Sequence, residues 1–465
     1  MGGDICAAVS VFCFTIPGIL AKIKLINAKQ REIKMLKQNG EQDLRNFTEN
    51  TFQESVEEIV PGVWIALSIG HSNAIFIEGN TSIILIDTLD TGKRGERLRE
   101  IIHATTGKEV GTIIYTHSHV DHRGGGGAFD PSDPETIAFS PCVPVLEHSG
   151  MVQDILNKRG ARQFGFTLSD EENISQGIGI RTGAVYGESR AFRKPTVVYN
   201  QDQVIREIDG VTVEMTRIQG ETDDQIMVWL PEKKVLCCGD NYYGCWPNLY
   251  AIRGGQYRDI AAWVRSLDKI RSYQAEYLLP GHTKPVCGRE QVEEVLGNFR
   301  NAIAYVLEET LRGMNEGKDM DTLAAEIALP EKYANLPYLG EYYGTVEWTV
   351  RAIFTAYAGW FDGNPTHLRP LAPGKRGEKA VALMGGPQAV LRAVQAAVEE
   401  REYQWALELC DLLLNAGEMT PEARRWKAAA LRKLAAMETS ANGRHYYLVS
   451  AYELESGESG GNPLR

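Results

Sequence analysis

The residues best suited to chemistry lie together in one hexapeptide, His117-Ser-His119-Val-Asp121-His122. The chain contains nine histidines, and three of them fall within these six positions. Imidazole nitrogens and a carboxylate oxygen are borderline-soft ligands that suit Zn²⁺. A glycine-rich stretch at 124–127 follows directly and allows the backbone to approach the site closely. The hexapeptide therefore predicts a metal site rather than a chance cluster of packing histidines.

Short β-rich segments lie on both sides of this hexapeptide. The apolar run at 111–115 predicts a strand that delivers the chain directly to His117. Strands interspersed with helices, with polar chemistry at the strand ends, indicate an α/β sandwich. Further strands are predicted at 63–67, 73–77, 82–86, 196–199, 211–218, 225–230, 234–238 and 276–279, and helices at 94–104 and 258–272.

Beyond about residue 290 the sequence is helical to its end. Apolar residues recur at helical spacing in 291–312, 346–358, 403–414 and 422–437. Because the sequence contains no repeat array, we expect this part to pack or to dimerise rather than to bind peptides as a solenoid.

Composition limits what the chain can bind. Its 465 residues include 49 Lys and Arg against 61 Asp and Glu, for a formal net charge of −12. Neutralising nucleic-acid phosphates needs a surplus of basic residues, so the acidic balance argues against a general nucleic-acid binder. A local arginine can still hold a small anionic substrate inside an acidic protein.

The cysteines and the N-terminal segment bear on location. Eight cysteines without a C-x-x-C pair predict neither a structural zinc module nor a disulfide framework, which favours the cytoplasm. An uncharged run from Ile5 to Ala21 resembles the apolar region of an export signal, yet an acidic residue, Asp4, precedes it. The run is short for a membrane helix and contains Pro17, so we predict no stable membrane span and leave export open.

The hexapeptide after an apolar strand resembles the H-x-H-x-D-H motif of the metallo-β-lactamase superfamily. Members take further ligands from three later segments, which resemble Gly220-Glu221-Thr222, Cys238-Gly239-Asp240 and Pro280-Gly281-His282 in this chain. Glu221 stands where most members have a histidine, and this substitution is typical of the linear alkylsulfatase branch. That branch has a second acidic residue 19 positions later, and Asp240 lies at that spacing, although the branch usually has Glu there.

The resemblance implies two zinc ions per chain. It implies that one metal is held by His117, His119 and Glu221 and the other by Asp121, His122 and His282, with Asp240 between them. Asp121 and Asp240 are then the expected catalytic carboxylates. Two such metals, about 3.5–4 Å apart, would activate a water for attack on a sulfate monoester.

The same resemblance implies residues that bind an anionic ester. Asn248 and Arg253 are in register with the asparagine and arginine that hold the substrate sulfate in the branch. Tyr186 resembles a tyrosine of the substrate pocket, with ordinary packing as an equal alternative. His71, in a Gly-His-Ser segment, is interpreted as a turn residue.

The helical part resembles the dimerisation domain of alkylsulfatases at 338–348 and 359–365, which implies a homodimer. Two departures predict a divergent member whose substrate need not be a detergent-like sulfate. His282 lies in Pro-Gly-His-Thr rather than His-His-Trp-Pro, and we expect no sterol-carrier-like C-terminal domain after the helical part.

These inferences combine into one expectation. We predict an αββα metallo-β-lactamase sandwich followed by an all-α dimerisation domain, acting as a binuclear zinc hydrolase of alkyl sulfates. Another hydrolase of this fold, acting on a lactone, phosphoester or lactam, remains an alternative, as does a metal-dependent scaffold that recruits a partner. The predicted divisions are an arm at 1–55, a catalytic domain at 56–300, a helical domain at 301–445 and a tail at 446–465.

Overall fold

The computed structural model of the protein describes residues 39–144 and 146–456. Of the predicted arm, the described part contains helix α1 (Gly40–Thr51) and the start of the first strand. The apolar run at 5–21 lies outside the described residues. No helix within the described ranges is long and apolar enough to cross a membrane.

Seven strands form the first sheet in simple chain order. Strands β1 to β4 pair antiparallel, whereas β4 to β7 pair parallel. The strands are β1 (Ser55–Val60), β2 (Val63–Leu67), β3 (Ala74–Glu78), β4 (Ile83–Ile86), β5 (Val110–Ile114), β6 (Glu135–Phe139) and β7 (Val197–Tyr199).

Six later strands form the second sheet, in the order β13-β12-β11-β10-β9-β8. Its pairs are antiparallel except for β11 and β12, which run parallel. The strands are β8 (Gln203–Ile208), β9 (Val211–Arg217), β10 (Ile226–Leu230), β11 (Val235–Gly239), β12 (Tyr277–Pro280) and β13 (Val286–Cys287).

The helices of the catalytic part connect and cover these sheets. They are α2 (Gly92–Thr106), α3 (Val120–Arg123), α4 (Gln153–Gln163), α5 (Asp170–Asn173) and α6 (Ile260–Ser272). The later helices of the described residues are α7 (Arg289–Asn315), α8 (Met320–Glu326), α9 (Glu331–Ala334), α10 (Val346–Ala358), α11 (Pro373–Leu383), α12 (Pro387–Glu399), α13 (Tyr403–Ala416), α14 (Thr420–Met437) and α15 (Ala441–Ser456).

The alternation of side chains along β4 shows how the layers are built. Ile84 and Ile86 lie in a buried cluster shared with strands of the second sheet, such as Val228 in β10. Ile83 and Leu85 point to the opposite face and pack with residues of α2. On the far side of the second sheet, strand and helix side chains from β11 and α6 share a third cluster. The predicted αββα sandwich is therefore confirmed.

The predicted divisions can be compared with the helices. Residue 300 lies inside α7, because that helix runs without interruption from the second sheet into the helical part. Residues 446–456 belong to α15 rather than to a tail, since Leu448 and Val449 are buried against Leu168 of the catalytic part. Residues 457–465 lie outside the described part of the chain.

Candidate active site

The ends of parallel strands place the polar residues of the site. Asp87 follows β4 and the loop with His117 follows β5, and these two strands are parallel neighbours. Asp240 follows β11 and His282 follows β12, the parallel pair of the second sheet. Carboxyl ends of adjacent parallel strands lie at the same edge, and both sheets present their polar ends to one site.

A first cluster consists of His117, His119, Glu221 and Asp240, whose ligand atoms lie within 4.8 Å of one another. His119 Nδ1 lies 3.0 Å from His117 Nε2 and 3.0 Å from Glu221 Oε2. Asp240 Oδ2 lies 3.6 Å from His117 Nε2. The three residues assigned by resemblance to one metal thus lie together, with Asp240 beside them.

A second cluster lies on the other side of Asp240. His122 and His282 each place Nε2 3.4 Å from Asp240 Oδ2. Asp121 Oδ2 lies 3.5 Å from His122 Nε2 and 3.3 Å from His282 Nε2. Because both clusters include Asp240, this carboxylate lies where a ligand shared by two metals would be.

Hydrogen bonds on the outer side of the imidazoles fix which nitrogen faces the site. His122 Nδ1 lies 2.7 Å from Asp87 Oδ2, and His282 Nδ1 lies 3.1 Å from the carbonyl oxygen of His71. His117 Nδ1 lies 3.1 Å from Thr116 Oγ1. Since the carboxylate and the carbonyl can only accept, the Nδ1 atoms of His122 and His282 carry hydrogen. Their Nε2 lone pairs are left to face the site, as in metal-binding histidines.

Asp87 is a positioning residue that the sequence analysis did not single out. Its Oδ1 accepts from the backbone of Thr116 at 2.8 Å, and its Oδ2 accepts from the Thr116 hydroxyl at 2.7 Å as well as from His122. Its backbone has φ of 60°, a left-handed conformation in which Asp is more tolerated than most residues. The strand end thereby fixes two residues of the metal loop at once.

Arg258 is a second functional residue that the sequence analysis missed. Its guanidinium forms two bonds with Glu221, Nη1 to Oε1 at 2.5 Å and Nη2 to Oε2 at 3.1 Å, and both side chains are buried. Burial acts to raise the pKa of Glu221, but Arg258 and His119 outweigh it and lower that pKa to about 2. Tyr243 donates a further hydrogen bond to Glu221 Oε1 at 2.9 Å. Glu221 is therefore an oriented, fully ionised carboxylate.

The donor set fits two divalent cations. His122 Nε2, His282 Nε2 and Asp240 Oδ1 are buried and have no hydrogen-bond partner within the described residues. Burial acts to raise the pKa of Asp240, but the surrounding histidines outweigh it and hold that pKa well below its usual value. The site holds four carboxylates and one guanidinium, and so has an excess of three negative charges. Two divalent cations would convert this to a net charge of plus one. The charged residues counted are Asp87, Asp121, Glu221, Asp240 and Arg258. The charge of the donor set therefore suits two divalent cations.

The backbone at Gly281 lies close to the side chains of two predicted metal ligands. A Cβ at this position would lie 2.4 Å from Asp240 Oδ1 and 2.9 Å from His122 Cε1. Any larger residue would displace the shared carboxylate, so glycine is required before His282.

The residues predicted to bind substrate differ in their burial and in their contacts. Asn248 is buried beside Glu221's partners, since its backbone donates to Tyr243 and accepts from Arg258. Arg253 is half-buried, donates to the carbonyl of Gly254 at 3.2 Å and forms no ion pair with a described carboxylate.

Tyr186 is not brought to the metal ligands by any contact in the described part of the chain. Its side chain is exposed, and its hydroxyl donates to Asp170 Oδ1 at 2.7 Å. A role in the substrate pocket therefore stays a prediction.

The helical part contributes one wall of the site. The indole of Trp246 donates to the hydroxyl of Thr349 in α10 at 3.1 Å, which anchors the loop between Asp240 and Arg253. The rings of Tyr343 and Tyr243 meet edge to face, with centroids 5.7 Å apart. Tyr343 precedes α10, so the two parts of the chain form the site together.

The two facing sheets, with histidine and carboxylate clusters at one edge, define a hydrolase of the metallo-β-lactamase fold. Comparison with known families agrees, since residues 67–282 match the metallo-beta-lactamase superfamily and residues 319–457 match the alkyl sulfatase dimerisation family. The chain is 36% identical over 392 residues to a linear primary-alkylsulfatase of Pseudomonas sp. (strain ATCC 19151), covering 82% of this chain and 73% of that one. It is 31% identical to the alkyl/aryl-sulfatase BDS1 of Saccharomyces cerevisiae, covering 86% of this chain and 64% of the relative.

A solved structure gives the same result. The stereoselective inverting sec-alkylsulfatase Pisa1 from Pseudomonas sp. superimposes with a TM-score of 0.81 at 27% identity, covering 89% of this chain and 68% of that one. The chain therefore belongs to the alkylsulfatase family of the metallo-β-lactamase superfamily, and the resemblance read from its motifs is confirmed. It is an enzyme of a hydrolase family, which removes the alternative of a non-catalytic scaffold.

Proposed function

We propose that the protein hydrolyses sulfate monoesters of alkyl alcohols with two zinc ions bound at the clusters on either side of Asp240. The arrangement of Glu221 and Asp240 is the observation that carries this proposal. Both carboxylates lie in one cluster with His117 and His119, where most members of the superfamily have a histidine in place of Glu221. The alkylsulfatases among its relatives support the same substrate class.

The proposed ligand sets are His117, His119 and Glu221 for one zinc, Asp121, His122 and His282 for the other, and Asp240 for both. When bound there, the zinc ions would supply Lewis-acid activation of water and of the ester oxygens. The overall reaction converts the ester and one water into the alcohol, sulfate and one proton.

Proton transfer falls to Asp121 in this proposal. Its side chain is 21% exposed, whereas that of Asp240 is 1% exposed and is enclosed by histidines. Asp121 Oδ2 faces His122 and His282, so its other oxygen remains for the proton released by the attacking water.

Asn248 and Arg253 would hold the sulfate group. The side-chain amide of Asn248 is buried beside the hydroxyl of Tyr343, and its NH₂ group would donate to a sulfate oxygen. The planar guanidinium of Arg253 can donate two parallel hydrogen bonds to sulfate. Together they would favour a tetrahedral anion over a lactone or lactam.

The test combines metal analysis with a substrate panel. We expect two zinc ions per chain and turnover of alkyl sulfates above that of phosphate monoesters, lactones and β-lactams. Reaction in ¹⁸O-labelled water assigns the broken bond, because the label enters sulfate on S–O cleavage and the alcohol on C–O cleavage.

Arg253→Ala should lower kcat/KM for alkyl sulfates by about 10- to 150-fold, the loss of charged hydrogen bonds. Arg190→Ala, which removes an exposed arginine, is the matched control and should leave kcat/KM unchanged. Full sulfatase activity in Arg253→Ala, or faster turnover of another substrate class, would overturn the proposed substrate.

A further inference from the structure

His71 occupies an unexpected position for a turn residue. It lies in the loop between β2 and β3, 46 positions before the hexapeptide, and its side chain is buried. Its ligand atom lies within 4.8 Å of the ligand atoms of Asp121 and His282, both in the second cluster. The loop therefore brings a further imidazole to the predicted metal ligands.

The orientation of the His71 ring is fixed by one hydrogen bond. Its Nδ1 lies 3.0 Å from the carbonyl oxygen of Ile180, which can only accept, so Nδ1 carries the hydrogen. The lone pair of Nε2 then faces Asp121 Oδ2 at 3.9 Å. This distance is too long for a hydrogen bond, but two ligands of one zinc ion can lie up to about 4.2 Å apart. A cation between the two atoms would satisfy both.

The loop is held firmly against the residues that flank the site. The backbone of His71 donates to Asp90 Oδ1 at 3.2 Å, and its carbonyl accepts from His282. Ser72 Oγ donates to the carbonyl of Asp121 at 2.6 Å, and the backbone of Asn73 donates to the carbonyl of Gly281 at 2.7 Å. Because the loop contacts both ligand-bearing segments, the His71 ring is positioned before any metal binds.

We propose that His71 is an additional ligand of the second metal, through Nε2, beside Asp121 and His282. This inference rests on the proposed dinuclear centre and adds one imidazole to it. The site would take a divalent metal of borderline softness and bind it with a higher coordination number than the motif ligands alone provide.

Metal binding by variants at position 71 tests the assignment. We expect the wild-type protein to retain two zinc ions in competition with a chromophoric chelator, and His71→Gln to bind the second zinc at least about 10-fold more weakly while keeping the first. His103→Gln removes an exposed histidine that lies outside the clusters, and it should keep both zinc ions at wild-type affinity.

Cobalt substitution distinguishes a ligand from a positioning residue. The visible d–d spectrum of the Co²⁺-loaded protein should change in His71→Gln. His71→Cys should gain a near-ultraviolet thiolate-to-cobalt charge-transfer band that the wild-type protein lacks, which also keeps the test valid if the Gln variant folds poorly.

Failure of the His71 assignment can be distinguished from failure of the proposed function. If the wild-type protein binds no zinc, the proposed function fails and this inference with it. If the wild-type protein binds two zinc ions but the variants show unchanged affinity and unchanged cobalt spectra, only the assignment of His71 is overturned. Weaker binding with unchanged spectra would also overturn it, since His71 would then act only by positioning Asp121.

Discussion

The pairing of Arg258 with Glu221 explains how a carboxylate can replace a histidine in this site. A buried carboxylate without a partner is strongly destabilised, and one that rotates freely is a poor ligand. Two parallel bonds from Arg258 and one from Tyr243 remove both difficulties, since they compensate the charge and fix the plane of the group. Arg258 is therefore a positioning residue for the first cluster.

Arg258→Met should destabilise the metal-free protein by about 3–5 kcal/mol, the usual cost of leaving one member of a buried ion pair alone. The loss should be smaller with zinc bound, because zinc would then compensate Glu221. Chemical denaturation with and without chelator measures both values.

Arg265→Met is the control for this prediction. Arg265 and Asp259 form an exposed pair at 3.8 Å, so this substitution should cost less than about 1 kcal/mol. Equal effects of the two substitutions, or no dependence on zinc, would contradict the role given to Arg258.

At the scale of single residues, the sequence was informative where the site is local. Six positions contain His117, His119, Asp121 and His122 because a strand end and one short helix place them together. Arg258 lies 37 positions after Glu221, and its contact with Glu221 depends on packing between loops that no spacing rule describes. His71 was interpreted as a turn residue, and its burial at the metal ligands could not be predicted for the same reason.

At the scale of elements, helix α15 connects the helical part to the substrate-binding loop. His445 in this helix is buried, with Nδ1 3.0 Å from the carbonyl oxygen of Gln163 and Nε2 2.8 Å from that of Asn173. The side chain of Gln163 in turn accepts from the backbone of Arg253 at 2.9 Å. Packing of α15 on α4 therefore supports the residue proposed to hold sulfate.

His445 should make the stability of this connection depend on pH. Burial lowers the pKa of His445 to about 4, although the two carbonyl oxygens act to raise it, so at neutral pH only one of its ring nitrogens carries a hydrogen and donates. The imidazole of His445 takes up a proton near pH 6.5 in the unfolded chain but only near pH 4 in the folded chain. The contribution of His445 to the free energy of unfolding is therefore largest above pH 6.5. It falls by about 1.4 kcal/mol per pH unit as the pH drops towards 4.

His445→Asn should be destabilising at pH 7.5, and its deficit against the wild type should shrink by about 1–2 kcal/mol at pH 5. Denaturation in chelator at the two pH values measures the difference. His103→Asn, at an exposed histidine paired with Glu109, should show no such change. A deficit for His445→Asn that is independent of pH would contradict the assignment.

The elements themselves were predictable where they are apolar and interior. The strands at β2 to β5 and β9 to β12 were anticipated, because continuous or alternating apolar runs mark them. The edge strands β1 and β8 were missed, since they keep several charged or polar side chains exposed, and so was the two-residue edge strand β13. The interior strand β6 was also missed, since its five residues begin with two polar ones, Glu135 and Thr136.

At the scale of the whole molecule, the helical part has an exposed apolar surface. Trp360 is 78% exposed and Leu383 is 90% exposed, and both lie within the segment that matches the dimerisation family. Large apolar side chains at this exposure are typical of interfaces that a partner covers. We therefore propose that two copies of the chain associate through this surface, as the sequence predicted.

Trp360→Asp should shift the protein from dimer to monomer. We expect light scattering after size exclusion to give about twice 51.6 kDa for the wild type. The dimer dissociation constant of Trp360→Asp should be at least about 30-fold higher than that of the wild type. A tryptophan buried at an interface typically contributes about 2 kcal/mol or more, which corresponds to this ratio. Met151→Asp alters an equally exposed apolar residue in the catalytic part and should remain dimeric. A monomeric wild type, or dissociation of Met151→Asp to the same degree, would place the interface elsewhere.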